Sequence, residues 1–229
     1  MTIAGMSIAD EIDGLIEERS LLKHPFYQAW QAGELTLDDL RCYAQQYYHH
    51  VLAFPQYVSA AHANCPDQGD RQELLENLIE EERGEENHPE LWLRFGEALG
   101  LSREEIITSE PLPETLRLVE TFRDVTKSGS FVEGATALYC YESQVPEVAK
   151  TKIAGLRDFY GIDNERGHQF FTVHIGADEW HAEVGRSFVE RYGQDDRERA
   201  RDAAQRSVDA LWGFLDGVYG VTVANRSAN

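Results

Sequence analysis

"FFTVHIGADEWHAEV", Phe170 to Val184, is the stretch that decides how this chain is read. At about 100° per residue, His174, Asp178 and His181 point to about 0°, 40° and −20°, one arc of roughly 60° on a helix. Phe171 lies at about 60°, and Ile175 and Val184 flank the arc at about 100° and −80°, so the face that carries the polar residues is bordered by apolar ones and turns inward. Buried Asp and His are costly unless paired or metal-bound. Imidazole and carboxylate together suit iron, manganese or zinc. From this helix alone, a salt-bridged or capping role for the same residues stays open.

Helical signals extend outward in both directions. "SIADEIDGLIEE" opens on Ser7 with Asp10 three residues later, "TLDDLRCYAQQYYHHVLAF" on Thr36 with Asp39, and "SREEI" on Ser102 with Glu105, all capping-box patterns. Pro55 is expected to kink or end the second of these. The run from Asp70 to Gly100 keeps helical spacing, with Gly84 and Pro89 as weak points. Glu114–Lys127, Ser130–Ser143, Glu147–Tyr160, Asn164–Tyr192 and Asp195–Tyr219 also read as helices, with turn signals between the later ones. No alternating strand and no fixed-period repeat appears. The expectation is an all-α bundle of about seven or eight helices in one domain over residues 1–229, ending in a frayed tail, "VTVANRSAN".

Composition narrows the function classes. With 42% hydrophobic and 27% charged residues the chain is globular rather than disordered. A net charge of −20 argues against nucleic acid and against an anionic membrane surface, because both would repel it. There is no apolar run long enough for a transmembrane helix, and "MTIAGMSIADEIDG" has neither the basic nor the apolar region of a signal peptide. Cys42, Cys65 and Cys140 are odd in number and far apart, which fits free thiols in a reducing cytoplasm.

Two further segments offer ligands. In "LIEEERGEENHPELW", Glu81 and His88 are seven apart and share a face, although a straight helix separates them by about 10.5 Å. Glu85 with His88, an E-x-x-H pair, competes for the same role. Glu80, Glu82 and Glu86 read as solvated charge. Glu142 follows an apolar run in "ATALYCYESQVPEV" and needs a partner, either a metal or one of Lys150 and Lys152. Together the three segments fit two metals with open positions for oxygen or water. Of the other histidines, His24 starts a helix beside Pro25, one of His49 and His50 can reach the cavity, and His62 and His168 read as surface or cap residues.

"LLKHPFYQAWQAGELTLDDLRCYAQQYYHHVLAFPQYVSAAHANC", followed by "LLENLIEEERGEENHPELWLRF", resembles the Chlamydia protein associating with death domains and its bacterial relatives. These form part of the heme-oxygenase-like diiron oxidase and oxygenase group. They are similar in fold to the PQQ-synthesis oxidase and to TenA. The resemblance spans about Leu21 to Val218. It implies a heme-oxygenase-like fold and six metal ligands at Glu81, His88, Glu142, His174, Asp178 and His181. It also implies an Fe/Fe or Mn/Fe pair, O2 as cosubstrate and an external reductant. The implied product is p-aminobenzoate for folate synthesis, its ring taken from the protein's own Tyr27 and its nitrogen from Lys152, in a single turnover. Tyr43 and Tyr141 are weaker candidates for relaying electrons or supplying the ring. A homodimer is the expected assembly.

Other classes predict other features. A TenA-like thiamine-fragment hydrolase would use a cysteine such as Cys140. A catalytic dimetal oxygenase would act on a free small molecule. A PQQ-type oxidase would lack the full ligand set. An interaction adaptor would need no buried His/Asp/Glu cluster. An HD-type phosphohydrolase is disfavoured because the chain has no His-Asp dipeptide.

Overall fold

Helix ends form where the caps stand. Ser7 accepts from the Asp10 N–H, and the Thr36/Asp39 and Ser102/Glu105 pairs close reciprocal capping boxes. Pro25, Pro89, Pro113 and Pro146 occupy first turns, where the missing N–H has no partner to lose. The computed structural model describes residues 6–224. Among the described residues there are eleven α-helices and no strand. They are α1 (Ile8–Glu18), α2 (Pro25–Ala32), α3 (Leu37–Asn64), α4 (Gln68–Glu82), α5 (His88–Ala98), α6 (Arg103–Ile107), α7 (Pro113–Lys127), α8 (Phe131–Glu142), α9 (Val145–Tyr160), α10 (Glu165–Tyr192) and α11 (Arg197–Tyr219).

The count exceeds the expected seven or eight for local reasons. The Asp70–Gly100 run breaks in two, because Gly84 takes a positive φ of 89° that a helix cannot continue through. Asn87 then caps α5 by accepting from the Glu90 N–H. The short α2 and α6 add two more. Pro55 does not end its helix: α3 runs on to Asn64 with the proline ring buried inside. Dense packing of α3 against its neighbours offsets the single backbone hydrogen bond that proline removes. The first four residues of the expected tail, 221–224, are helical instead. Gly220–Ala224 forms a π-helical turn, in which Thr222 is buried and its hydroxyl donates to the Val218 carbonyl at 2.7 Å. Residues 225–229 of that expected tail, and residues 1–5 of the expected leaderless start, lie outside the described residues.

Helix α8 runs through the middle, buried over nearly its whole length. Against it pack α3, α7, α10 and α11. Helix α5 packs on α3 and α10, and α2 lies over α9 and α11. This brings the end of α4, the start of α5, the end of α8 and the middle of α10 to one interior point. No helix among the described residues is long and apolar enough to cross a membrane.

Candidate metal centre

The break at Gly84 is what lets Glu81 and His88 meet. On a straight helix they would be about 10.5 Å apart along the axis. Here Glu81 Oε2 lies 2.8 Å from His88 Nδ1, and both side chains are buried. Glu85, the competing choice, is exposed, and its carbonyl accepts from Arg94. The one-face reading of α10 corresponds to three buried side chains, His174, Asp178 and His181. Glu142, at the last residue of α8, accepts from Asn77 Nδ2 at 2.6 Å. Neither lysine suggested from sequence serves Glu142: Lys150 pairs with Glu147 at the surface and Lys152 donates to Tyr43.

The six residues fall into two trios. Glu81, His88 and His174 each offer a ligand atom within 4.8 Å of the others, and so do Glu142, Asp178 and His181. The His88 and His174 rings are 4.3 Å apart between centroids. His174 Nδ1 faces the Phe170 carbonyl, which leaves Nε2 as the free donor atom.

Burial and crowding strain the charges. Burial, with Glu81 nearby, holds the Asp178 carboxyl well above its usual range. Burial also pushes Glu142 up to about 8, against the pull of His181. Burial and the neighbouring His88 hold His174 well below the usual imidazole range. At His88 burial pulls down, but the charge and hydrogen bond of Glu81 outweigh it and the net shift is upward. Asp178 Oδ2 and His181 Nε2 are buried without a hydrogen-bond partner. Buried carboxylates and imidazoles with orphaned atoms, in two compact sets, fit two cations of the iron or manganese kind.

A cavity adjoins His174. Tyr27, Tyr47, Tyr141, Lys152 and Phe171 also line it. Its volume is about 20 Å³, room for a water or a diatomic molecule. Lys152 is buried, and its Nζ donates to Tyr43 Oη at 2.7 Å. Tyr43 Oη lies 3.1 Å from Tyr27 Oη. Lys152 Nζ stands 5.6 Å from the centre of the Tyr27 ring. Burial alone brings the Lys152 ammonium down to about 7. It also raises the Tyr27 and Tyr43 phenols, so both stay neutral.

Several functional neighbours escaped the sequence reading. Tyr47 lines the cavity, and its hydroxyl lies 2.6 Å from that of Tyr141. The spacing Tyr43, Tyr47, His50, Phe54 along α3 was the available signal. His50 is the buried member of its pair, 5.0 Å from the Tyr141 ring between centroids, while His49 contacts Ser109. Asn77 carried no signal, since only the fold shows its bond to Glu142. Two readings are corrected. His168 is buried, because its Nε2 holds the Ile162 carbonyl at 2.7 Å in the loop before α10. Glu80 is not simply solvated: its Oε2 lies 3.3 Å from His181 Nε2. Glu82 is exposed and Glu86 pairs with Arg94, as surface charge does. Cys140 is fully buried against α1 and α11 outside the cavity, and burial raises its thiol far above nucleophilic range. His24 caps α2 by accepting from the Phe26 N–H, and its other nitrogen lies 3.0 Å from Asp216.

An all-α, heme-oxygenase-like bundle around paired His/carboxylate trios defines a class, and the comparison with known families agrees. The chain belongs to the family of iron-containing redox enzymes, whose model matches residues 41–212. It is similar to the 4-aminobenzoate synthase of Nitrosomonas europaea, at 43% identity over 97% of this chain and 95% of that protein. The 4-aminobenzoate synthase of Chlamydia muridarum is 42% identical over 92% of this chain and 89% of its own length. A TenA homologue from Pseudomonas syringae shares the fold, with a TM-score of 0.80 over 93% of each chain at 17% identity.

Proposed function

We propose that the protein is a dimetal oxygenase that makes p-aminobenzoate from its own Tyr27, with Lys152 as the nitrogen donor. The observation that carries this reading is the buried Lys152 amine held over the Tyr27 ring in a cavity shared with His174. The similarity to proteins named 4-aminobenzoate synthase supports the product.

Glu81, His88, Glu142, His174, Asp178 and His181 would hold the two ions, iron with iron or manganese with iron, and these supply O2 activation with electrons from an external reductant. The chain's own groups do the rest. Tyr27 lies in the first turn of α2, so its ring enters the cavity from a rigid element. At the para carbon the C–O bond would give way to a C–N bond, the oxygen leaving as water, while the Cε–Nζ bond of Lys152 breaks; Cβ would part from Cα and be oxidised to the carboxyl at the expense of O2, with the reductant supplying the remaining electrons. Tyr43 hydrogen-bonds both Lys152 and Tyr27 and so fixes amine and ring relative to each other. A lysine brought down to about 7 by burial is substantially neutral near neutral pH, and only the neutral amine is a nucleophile. We assign electron relay to Tyr43 and Tyr141, a role supported by their hydroxyl contacts with Tyr27 and Tyr47 respectively. Loss of Tyr27 ends the chain's activity after one turnover.

The test is protein carrying ring-labelled tyrosine, loaded with metal anaerobically, then given O2 and reductant. Labelled p-aminobenzoate at no more than one per chain is expected. Unlabelled product, or many products per chain, means that a free small molecule is the substrate.

A further inference from the structure

We propose that Glu80 backs His181 from outside the centre, fixes Nδ1 as its ligand atom and makes the Glu142–Asp178–His181 position the tighter of the two. This rests on the two-metal reading above. The imidazole of His181 presents its two nitrogens to different groups. Nδ1 lies 3.3 Å from Asp178 Oδ1 and 3.9 Å from Glu142 Oε1, its two partners in the trio. Nε2 lies 3.3 Å from Glu80 Oε2. A neutral imidazole that binds through Nδ1 carries its proton on Nε2. That N–H is buried and unpartnered, and an unsatisfied buried donor is costly. The Glu80 side chain is 46% exposed, so it can turn by the small angle that completes the bond.

The consequence is an inequality between the positions. A carboxylate behind an imidazole orients it and makes it a stronger donor. His174 has only the neutral Phe170 carbonyl in that role. The Glu142–Asp178–His181 position also has two carboxylates, where the other has Glu81 alone. Glu80 thus adds negative charge on the side that is already richer in it. Its neighbour Glu82 has the same charge and points to solvent, which makes it the natural control.

The experiment titrates metal-free protein with Co2+, followed by visible absorption. Wild type should take up two equivalents. Glu80→Gln should weaken one binding step by roughly 10–100-fold and leave the other unchanged. In a His174→Ala background, where the Glu142–Asp178–His181 position remains, the loss should persist. In a Glu142→Ala background it should vanish. Glu82→Gln should change neither step. Unchanged affinities in Glu80→Gln overturn the proposal, as does an equal loss at both steps or the same loss in Glu82→Gln. Failure of wild type to bind two equivalents overturns the two-metal reading instead.

Discussion

Lys152 Nζ lies 2.7 Å from Tyr43 Oη, deep in the bundle, and burial brings the amine from the ordinary 10.5 to about 7. A buried amine that titrates at about 7 beside an aromatic ring supports the nitrogen-donor role proposed above, since a lysine needed only for packing is better replaced by an apolar chain.

Product formation should therefore rise with pH through about 7 as Lys152 loses its proton. The same shift has a stability consequence of definite sign. Between about 7 and 10.5 the unfolded chain binds the proton that the folded chain has released, so this group makes the fold more stable as pH rises across that window. Below 7 its destabilisation is complete. Lys152→Met should be more stable than wild type by on the order of a few kcal/mol at pH 6, and the gain should shrink by pH 10. Paired thermal melts check this; a difference independent of pH would show that Lys152 is charged in the fold.

Tyr27→Phe removes one hydroxyl and keeps the packing. It should fold, load metal and yield little or no p-aminobenzoate, at a stability loss of about 1 kcal/mol for the bond to Tyr43. Lys152→Arg should likewise suppress product, because a guanidinium keeps the charge but is no nucleophile. Mass spectrometry of the products decides, and normal yield from either variant rejects the assigned role.

His174→Ala and Asp178→Ala each remove a donor from a different trio. Each should lower the bound metal from two towards one per chain and stop product formation. Elemental analysis of purified protein measures it; two tightly held ions in both variants would contradict the ligand set.

Gly155→Ala tests how α2 is seated. A Cβ there would lie 2.5 Å from the Trp30 indole, whose Nε1 lies 3.4 Å from the Lys152 carbonyl. Overpacking should cost about 1–3 kcal/mol and shift the helix that presents Tyr27. Lower melting temperature and lower product per bound metal are expected together, and unchanged values would mean that α2 has slack.

His24→Ala should cost about 1 kcal/mol through loss of the α2 cap, while His24→Asn, a good cap residue, should recover most of it. Denaturant titration of the two variants distinguishes them.

What could be read from sequence was whatever depends on local periodicity. The inward face of α10 is a pattern within eight residues, and its three polar members share one direction whatever the neighbours do. Gly84 was visible as a weak point, but not that its left-handed turn would draw Glu81 to His88. Tyr47, Asn77 and Glu80 were illegible because their roles are contacts between helices far apart in the chain. His168 misled for a related reason: its partner, the Ile162 carbonyl, sits in a loop whose path no periodicity predicts. Pro55 does not end α3 because propensity is local, whereas a helix packed on several sides is held by its surroundings.

If Tyr27 is consumed as proposed, its seat in the fold would set the fate of a chain that has reacted. Its ring is 2% exposed, wedged against Phe26 and Trp30. Removing it leaves a phenol-sized void, and losing a buried aromatic side chain typically destabilises a domain by about 3–5 kcal/mol. Against total stabilities of about 5–15 kcal/mol, that is enough to raise the unfolded fraction by about a hundred-fold to several thousand-fold. A used molecule would differ from a fresh one by its melting temperature as well as by its mass, and a protease that samples unfolded chains would remove it first. Vitamin supply would then be metered by the rate of translation, one precursor per polypeptide.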